Sequence, residues 1–207
     1  MPPHDKDNPI LTTCMLTDGG FVTVAANDTC NPPVFSVECW VRPEWSANDE
    51  PATRQIIDSR NVDMAGMAGY GLRINEDGNW HAQIGHTNSG GVFMDVVASI
   101  ATLNAVSHVV LTFDGTTAAV FVNGIRTSPL TFIPANESFS PNTVAPLIIG
   151  AGGPYQPNRT TGAVEPPPRF LFVPFKGKIQ NVAIYNTVLD EATIKKHTEH
   201  GKGNSIE

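Results

Sequence analysis

The sequence predicts an all-β fold of antiparallel strands, and three observations carry that prediction. In Ser107 to Gly124, Val109, Leu111 and Phe113 alternate with His108, Val110 and Thr112; the cluster Asp114-Gly115-Thr116-Thr117 interrupts, and Ala118 to Val122 resumes the run. That pattern is a hairpin. Asn123-Gly124 follows with two residues that tolerate positive φ, as a type I′ turn requires, so a third strand is expected from Ile125. The second observation is the stretch from Tyr70 to Gly85, where Tyr70, Leu72 and Ile74, then Trp80, Ala82 and Ile84, occupy alternate positions around Glu76-Asp77-Gly78. Only a register with Ile74 opposite Trp80 keeps both apolar sets on one face, because a slip of one residue exposes all of them. Gly78 in the left-handed position of a three-residue loop supplies that register, and Arg73 then faces His81 while Gly71 faces Gln83 on the opposite side. The third observation is punctuation: 18 glycines and 17 prolines stand between short apolar runs without a repeat, which suits many turns and not a fibrous chain.

Taken in order, residues 1–10 are a polar, proline-bearing arm of a kind that frays unless a partner or the body of the domain holds it. The domain is expected over residues 11–200, with residues 201–207 as a tail. Met15-Leu16-Thr17 runs into the turn signal Asp18-Gly19-Gly20, and Phe21 to Val24 reads as a strand. Phe35 to Val41 is the next strand, ended by Pro43, which cannot donate to a ladder. Cys39 shares a face with Phe35, Val37 and Val41 and reads as a small core hydrophobe. Cys14 and Cys30 bracket the first hairpin; they either pair in an oxidising compartment or stay reduced, and the odd cysteine count leaves at least one thiol without an intrachain partner. Arg54 to Ser59 is a short strand, and Arg60 to Ala68, with Gly66, Met64 and Met67, reads as a loop. Val92 to Ala98 is a strand with Phe93, Asp95 and Val97 facing opposite to Val92, Met94 and Val96. Ile133 to Ala145 is a connection, Pro146 to Gly150 a strand, and Ala151 to Pro168 a proline- and glycine-rich loop of a length usually reserved for function or mobility. Phe170 to Ile184 carries the last strands. Leu189 to His200 is the one helix, with Asp190 and Glu191 near its start, Lys195, Lys196 and His197 towards its end and Gly201 as its stop.

The 207 residues are 41% hydrophobic, enough for one sizeable all-β core. The formal net charge is -7 with lysines and arginines scattered singly, which excludes a basic footprint for nucleic acid or an anionic membrane surface. No apolar run approaches the roughly 20 residues of a membrane span, so no membrane insertion is expected. The start, MPPHDKDNP, lacks the basic and apolar regions of a signal peptide. The chain is therefore expected to act without secretion or after removal of a signal.

LTDGGFVTV at Leu16, FSVECWVRP at Phe35, GYGLRINEDGNW at Gly69, HVVLTFDGTTAAVFVNG at His108, LIIGA at Leu147 and FKGKIQNVAIYNTVLDEATIKKH at Phe175 follow one another in an order that resembles laminin-G-like domains of the concanavalin A-like lectin/glucanase superfamily. The resemblance covers nearly all of residues 11–200. It implies a jelly-roll sandwich of two antiparallel sheets, one concave, with ligands on the concave face or its rim loops, and much less about activity, since one fold hosts many functions. It also implies a structural calcium ion held by an acidic side chain and carbonyl oxygens. Asp18 matches the acidic position, but where many members read G-x-I-D-E-V this chain has Gly177-Lys178-Ile179-Gln180-Asn181-Val182. Amides such as Gln180 replace the second carboxylate and would ligate Ca²⁺ with less electrostatic attraction; the alternative is that Asp18 only caps its turn.

Glucanases of this fold carry E-x-D-x-E, and here no glutamate is followed two residues later by an aspartate. H-E-x-x-H, G-x-S-x-G and cysteine-rich zinc spacings are also missing, and His197 and His200, one turn apart, either share a metal or, as is far more common, mark a solvated helix end. An enzyme is not expected. The face opposite Tyr70 and Trp80 presents Arg73, Asn75, His81, Gln83 and Asp95, a mixture of donors and acceptors suited to sugar hydroxyls or to a solvated outer face. Trp45 is a candidate stacking platform or packs against a loop, and Tyr155, Asn158 and Arg159 stand in the long loop. Asn27-Asp28-Thr29, Asn136-Glu137-Ser138 and Asn158-Arg159-Thr160 match the glycosylation acceptor pattern, which chance supplies often. The expected function is a non-catalytic carbohydrate-binding or adhesion domain, extracellular or exposed on a cell or virion, with a glycan or polysaccharide as partner. A structural component of an assembly, such as a virion decoration or tail protein docking other chains through its N-terminal arm, is the alternative, and a polysaccharide hydrolase or lyase the weaker one.

Overall fold

Alternation in the sequence becomes two sheets in a computed structural model, which describes residues 10–12, 20–46, 52–63, 66–87, 92–152 and 173–201. The strands are β1 (Ile10–Thr12), β2 (Val22–Val24), β3 (Phe35–Pro43), β4 (Arg54–Asp58), β5 (Asn61–Asp63), β6 (Gly66–Ala68), β7 (Tyr70–Ile74), β8 (Asn79–Ile84), β9 (Met94–Ile100), β10 (Ser107–Phe113), β11 (Thr117–Val122), β12 (Ile125–Arg126), β13 (Thr131–Phe132), β14 (Leu147–Ile149) and β15 (Gly177–Tyr185), followed by the helix α1 (Glu191–Gly201). The first sheet runs β1-β15-β3-β10-β11-β12, with β13 also on β11; the second runs β2-β14-β4-β7-β8-β9. All of these pairings are antiparallel. This is the all-β jelly-roll sandwich that the resemblance implied.

The core lies between the sheets. Phe35, Val37, Cys39 and Val41 of β3 and Val109, Leu111 and Phe113 of β10 meet Tyr70, Leu72, Ile74, Trp80, Ala82 and Ile84 of β7 and β8, all fully buried. Phe35 is central to it, with the rings of Tyr70 at 4.6 Å and Phe113 at 5.3 Å. The Tyr70 hydroxyl donates to the Cys30 carbonyl at 2.8 Å, so this buried aromatic strands no polar atom.

Both hairpins have the expected register. Ile74 pairs with Trp80, Arg73 with His81 and Gly71 with Gln83; Gly78 has φ +81°. Asn123 and Gly124 have φ +53° and +81°, and Val122 pairs with Ile125 across that turn.

Helix α1 packs on the outer face of the first sheet, where Ile194 and Leu189 meet Val110, Ala119 and Phe121. Every residue of β10 is therefore buried, one set in the sandwich and the other under the helix. Beneath the helix, Glu38 accepts from the Tyr185 hydroxyl at 2.8 Å and lies 2.9 Å from His197 Nδ1 and 3.5 Å from His108 Nε2. His108 Nδ1 meets the Thr198 hydroxyl at 2.7 Å, and its ring stacks on Trp40 with centroids 4.8 Å apart.

Three expectations are corrected. Arg60 to Ala68 is not only a loop: β5 and β6 pair as a two-stranded ribbon, since backbone ladders need no apolar alternation. The strand expected at Val92–Ala98 runs Met94–Ile100. The last strand begins at Gly177 and carries a bulge between Gln180 and Ala183, with Asn181 at φ +52°. Of the two alternatives left open for Cys30, the structure has the reduced one: it is a free, buried thiol like Cys39. Cys14, Asp18, the arm over residues 1–9, residues 153–172 of the long loop and residues 202–207 lie outside the described residues. Among the described residues, no helix is long and apolar enough to cross a membrane.

Candidate functional site

With Tyr70, Leu72 and Ile74 turned inward, the pleat aims Gly71 and Arg73 outward, and β8 does the same with His81 and Gln83. On β9, Asp95 pairs with Gln83. Four of the five residues expected on this face, Arg73, His81, Gln83 and Asp95, lie in one contiguous row of polar contacts. Arg73 Nε donates to His81 Nδ1 at 2.9 Å. His81 Nε2 lies 3.0 Å from Asp95 Oδ1. Gln83 Nε2 donates to the same Asp95 oxygen at 2.7 Å.

The chain continues into β4 through residues that sequence reasoning missed. The Gln83 carbonyl accepts from Arg60 Nη1. Arg60 also donates to both Asp58 oxygens at 2.8 Å and to Gln55 Oε1 at 3.1 Å. Arg60 and Asp58 are almost wholly buried, as such a bidentate pair must be matched to survive out of water. The Arg60 guanidinium lies over Gly71, where an added Cβ would stand 2.9 Å from Nε, and under the Phe93 ring at 5.5 Å. The usable sequence signal was the opposite charge two residues apart in Asp58-Ser59-Arg60, which an extended backbone sets on one face.

Burial alone would raise the Asp95 carboxyl, but hydrogen bonds from His81 and Gln83 and the nearby Arg73 outweigh it and hold it below its ordinary range. Burial and Arg60 draw Arg73 below its ordinary value, with Asp95, Asp58 and Glu76 opposing. Among the described residues, no protein atom bonds the Arg73 Nη groups or the second Asp95 oxygen. The face thus offers a fixed donor fork beside a fixed acceptor.

The other candidates stand elsewhere. Asn75 closes the β7–β8 turn, its Oδ1 accepting from Asn79 N–H at 2.8 Å, so its carbonyl is taken by the turn. Trp45 packs at the core rim, edge-on to Phe175 at 6.3 Å, with the Arg54 guanidinium 4.8 Å over its ring; one ring face is already occupied. Tyr155, Asn158 and Arg159 lie outside the described residues. Gln180 pairs with Trp40 on β15, just before the bulge that takes Asn181 and Val182 out of the β3 register. Among the described residues there is no group of three His, Cys, Asp or Glu side chains able to hold a metal.

A family model described as the concanavalin A-like lectin/glucanases superfamily (Laminin_G_3) matches residues 16–195. No curated protein matches the chain. Among solved structures, the CBM40 of Ruminococcus gnavus IT-sialidase bound to α2,3 sialyllactose is similar with a TM-score of 0.62 at 15% identity, covering 90% of this chain and 95% of that one. The binding domain of botulinum neurotoxin DC in complex with SialylT gives 0.60 at 13% identity over 93% of this chain and 46% of the other. Trypanosoma rangeli sialidase in its covalent intermediate with 2,3-difluorosialic acid gives 0.58 at 16% identity over 94% of this chain, which spans only 28% of the sialidase. At these identities the likeness is one of fold.

Proposed function

The chain belongs to the concanavalin A-like lectin/glucanase superfamily, and from that premise we propose that it is a non-catalytic carbohydrate-binding domain acting through the outward face of the second sheet. The observation that carries this reading is the continuous network from Asp58 and Arg60 through Gln83, Asp95 and His81 to Arg73. It fixes polar side chains in one plane before any ligand arrives, and such preorganisation lowers the cost of ordering them on binding. Two solved neighbours that cover most of this chain, the CBM40 and the toxin binding domain, hold sialylated ligands, which supports a glycan as partner and a surface or extracellular setting. Catalysis finds no support on this face. A glycosidase needs a carboxylic acid held protonated, whereas Asp95 is held ionised and Asp58 is locked to Arg60.

A glycan array probed with the wild type and with the double variant Arg73→Ala/His81→Ala tests the reading. Selective binding by the wild type should fall at least tenfold in the variant, the loss expected for one hydrogen bond to a charged donor plus its positioning partner. Undiminished binding by a folded double variant would move the site elsewhere.

A structural calcium ion belongs to the same proposal, with Asp18 supplying the carboxylate and neutral oxygens near Gln180 and Asn181 the rest; the bulge that removes Asn181 and Val182 from the β3 register suits that role. One carboxylate makes the attraction weak. Added calcium is expected to raise Tm by a few degrees, and Asp18→Asn to remove the increment. An identical Tm in calcium and in chelator would eliminate the ion.

A further inference from the structure

Resting on the carbohydrate-binding reading, we infer that the outward face of the second sheet takes an uncharged sugar, with Arg73 donating to one hydroxyl and Asp95 accepting from another, and that it rejects carboxylated sugars. The inference comes from charge matching on the face. A receptor for a carboxylate needs a cation whose charge is not already answered by the protein. Arg60 does not qualify, because its guanidinium is spent on both oxygens of Asp58 and on the carbonyls of Gln55 and Gln83. His81 does not qualify either: its Nδ1 accepts from Arg73 and its Nε2 faces Asp95 at 3.0 Å, so both ring nitrogens are already answered by the protein.

Among the described residues of this face Arg73 is the remaining cation, and it stands in the field of three carboxylates, Asp95, Asp58 and Glu76. An incoming carboxylate would gain one guanidinium and meet the ionised Asp95 beside it. The side chain of Asp95 is 53% exposed, so its free oxygen looks into the space a ligand would fill. The chain as a whole carries a net charge of -7 and does not steer anions towards this face. A sugar hydroxyl, in contrast, both donates and accepts. One hydroxyl can give its proton to Asp95 while a neighbour receives an N–H from Arg73, and neither contact leaves a charge unanswered.

The test is a set of matched pairs on one array: lactose with α2,3-sialyllactose, and xylotetraose with tetragalacturonate, probed with the wild type, Asp95→Asn and Arg73→Gln. Asparagine keeps the carbonyl that Gln83 and His81 use and removes only the charge, so the variant should fold. The wild type is expected to hold the neutral member of a pair at least tenfold more tightly than the charged one. Asp95→Asn should weaken the neutral sugar by a similar factor and narrow the gap to its charged partner. Arg73→Gln should weaken the neutral sugar as well. Tighter wild-type binding of the carboxylated member overturns the inference. Neutral-sugar binding that is unchanged in both variants also overturns it, while leaving carbohydrate binding intact at another place. Failure to bind any member of the set overturns the inference and counts against the carbohydrate-binding reading itself.

Discussion

Asp58→Ala is expected to lower stability by about 3–5 kcal/mol, the usual cost of removing one partner from a buried ion pair. For a chain of this size that is a fall in Tm of roughly 10 °C. The carboxylate does three things for Arg60: it accepts from Nε and Nη2 at 2.8 Å each, and it takes the Arg60 backbone N–H at 3.0 Å. Without it, a guanidinium only 4% exposed is left with the amide carbonyls of Gln55 and Gln83 and no countercharge. The backbone near Gly152 also closes over Asp58, since an added Cβ there would lie 2.3 Å from Oδ2, so water has little room to replace the lost oxygens. The double variant Asp58→Ala/Arg60→Met should lose less than the single one, because the stranded charge is gone. Urea denaturation of the two variants decides the matter; a single-variant loss below about 1 kcal/mol would mean the pair is solvated and not structural. Because Arg60 also anchors Gln83, and Gln83 anchors Asp95, the single variant should lose glycan affinity even at temperatures where it remains folded.

What could be read in the sequence follows the range of the forces involved. The Tyr70–Ile84 hairpin was legible to the residue pair because alternation and a left-handed Gly78 act over a few residues, and once Ile74 met Trp80 the Arg73–His81 contact was settled. The helix was legible from its acidic start and basic end. The Asp58–Arg60 half of the face was not, and the reason is local irregularity. A bulge between Gln55 and Ile57 turns both Ile56 and Ile57 into the core, so Gln55 and Asp58 share the outer face although they are three residues apart. A strict period of two puts them on opposite sides. Trp45 illustrates a different limit. In the sequence a stacking platform and packing against a loop are both open to it; the residues that cover it, Arg54 and Phe175, come from other segments and no spacing rule links them, so only the structure selects packing.

Glu38 shows the same limit at the longest range, and its contact gives the second large expectation, a stabilisation from this pair that is greatest between about pH 4.5 and 6.5. On β3 it alternates outward with Trp40, as a solvated carboxylate would, yet α1 arrives about 150 residues later and covers it. Burial alone would raise its carboxyl; the close contacts with His108 and His197 and their attraction outweigh burial and bring it from 4.5 down to about 2. The folded value lies below the unfolded one, so this stabilisation is complete above pH 4.5 and is lost as pH falls through about 2. The same contact raises His197 above its ordinary 6.5, so the histidine's share is complete below 6.5 and is lost as pH climbs through its folded value. The two partners share one interaction, worth about 3 kcal/mol at most when counted once. Glu38→Gln should remove most of it at pH 5.5 and much less at pH 2.5, flattening the acid limb of the stability profile. It should also speed hydrogen exchange of the α1 amides at pH 5.5, since the helix loses the contact that holds His197 to the sheet. Parallel stability profiles for the wild type and Glu38→Gln across that range would show that the helix is held by Ile194 and its apolar neighbours alone.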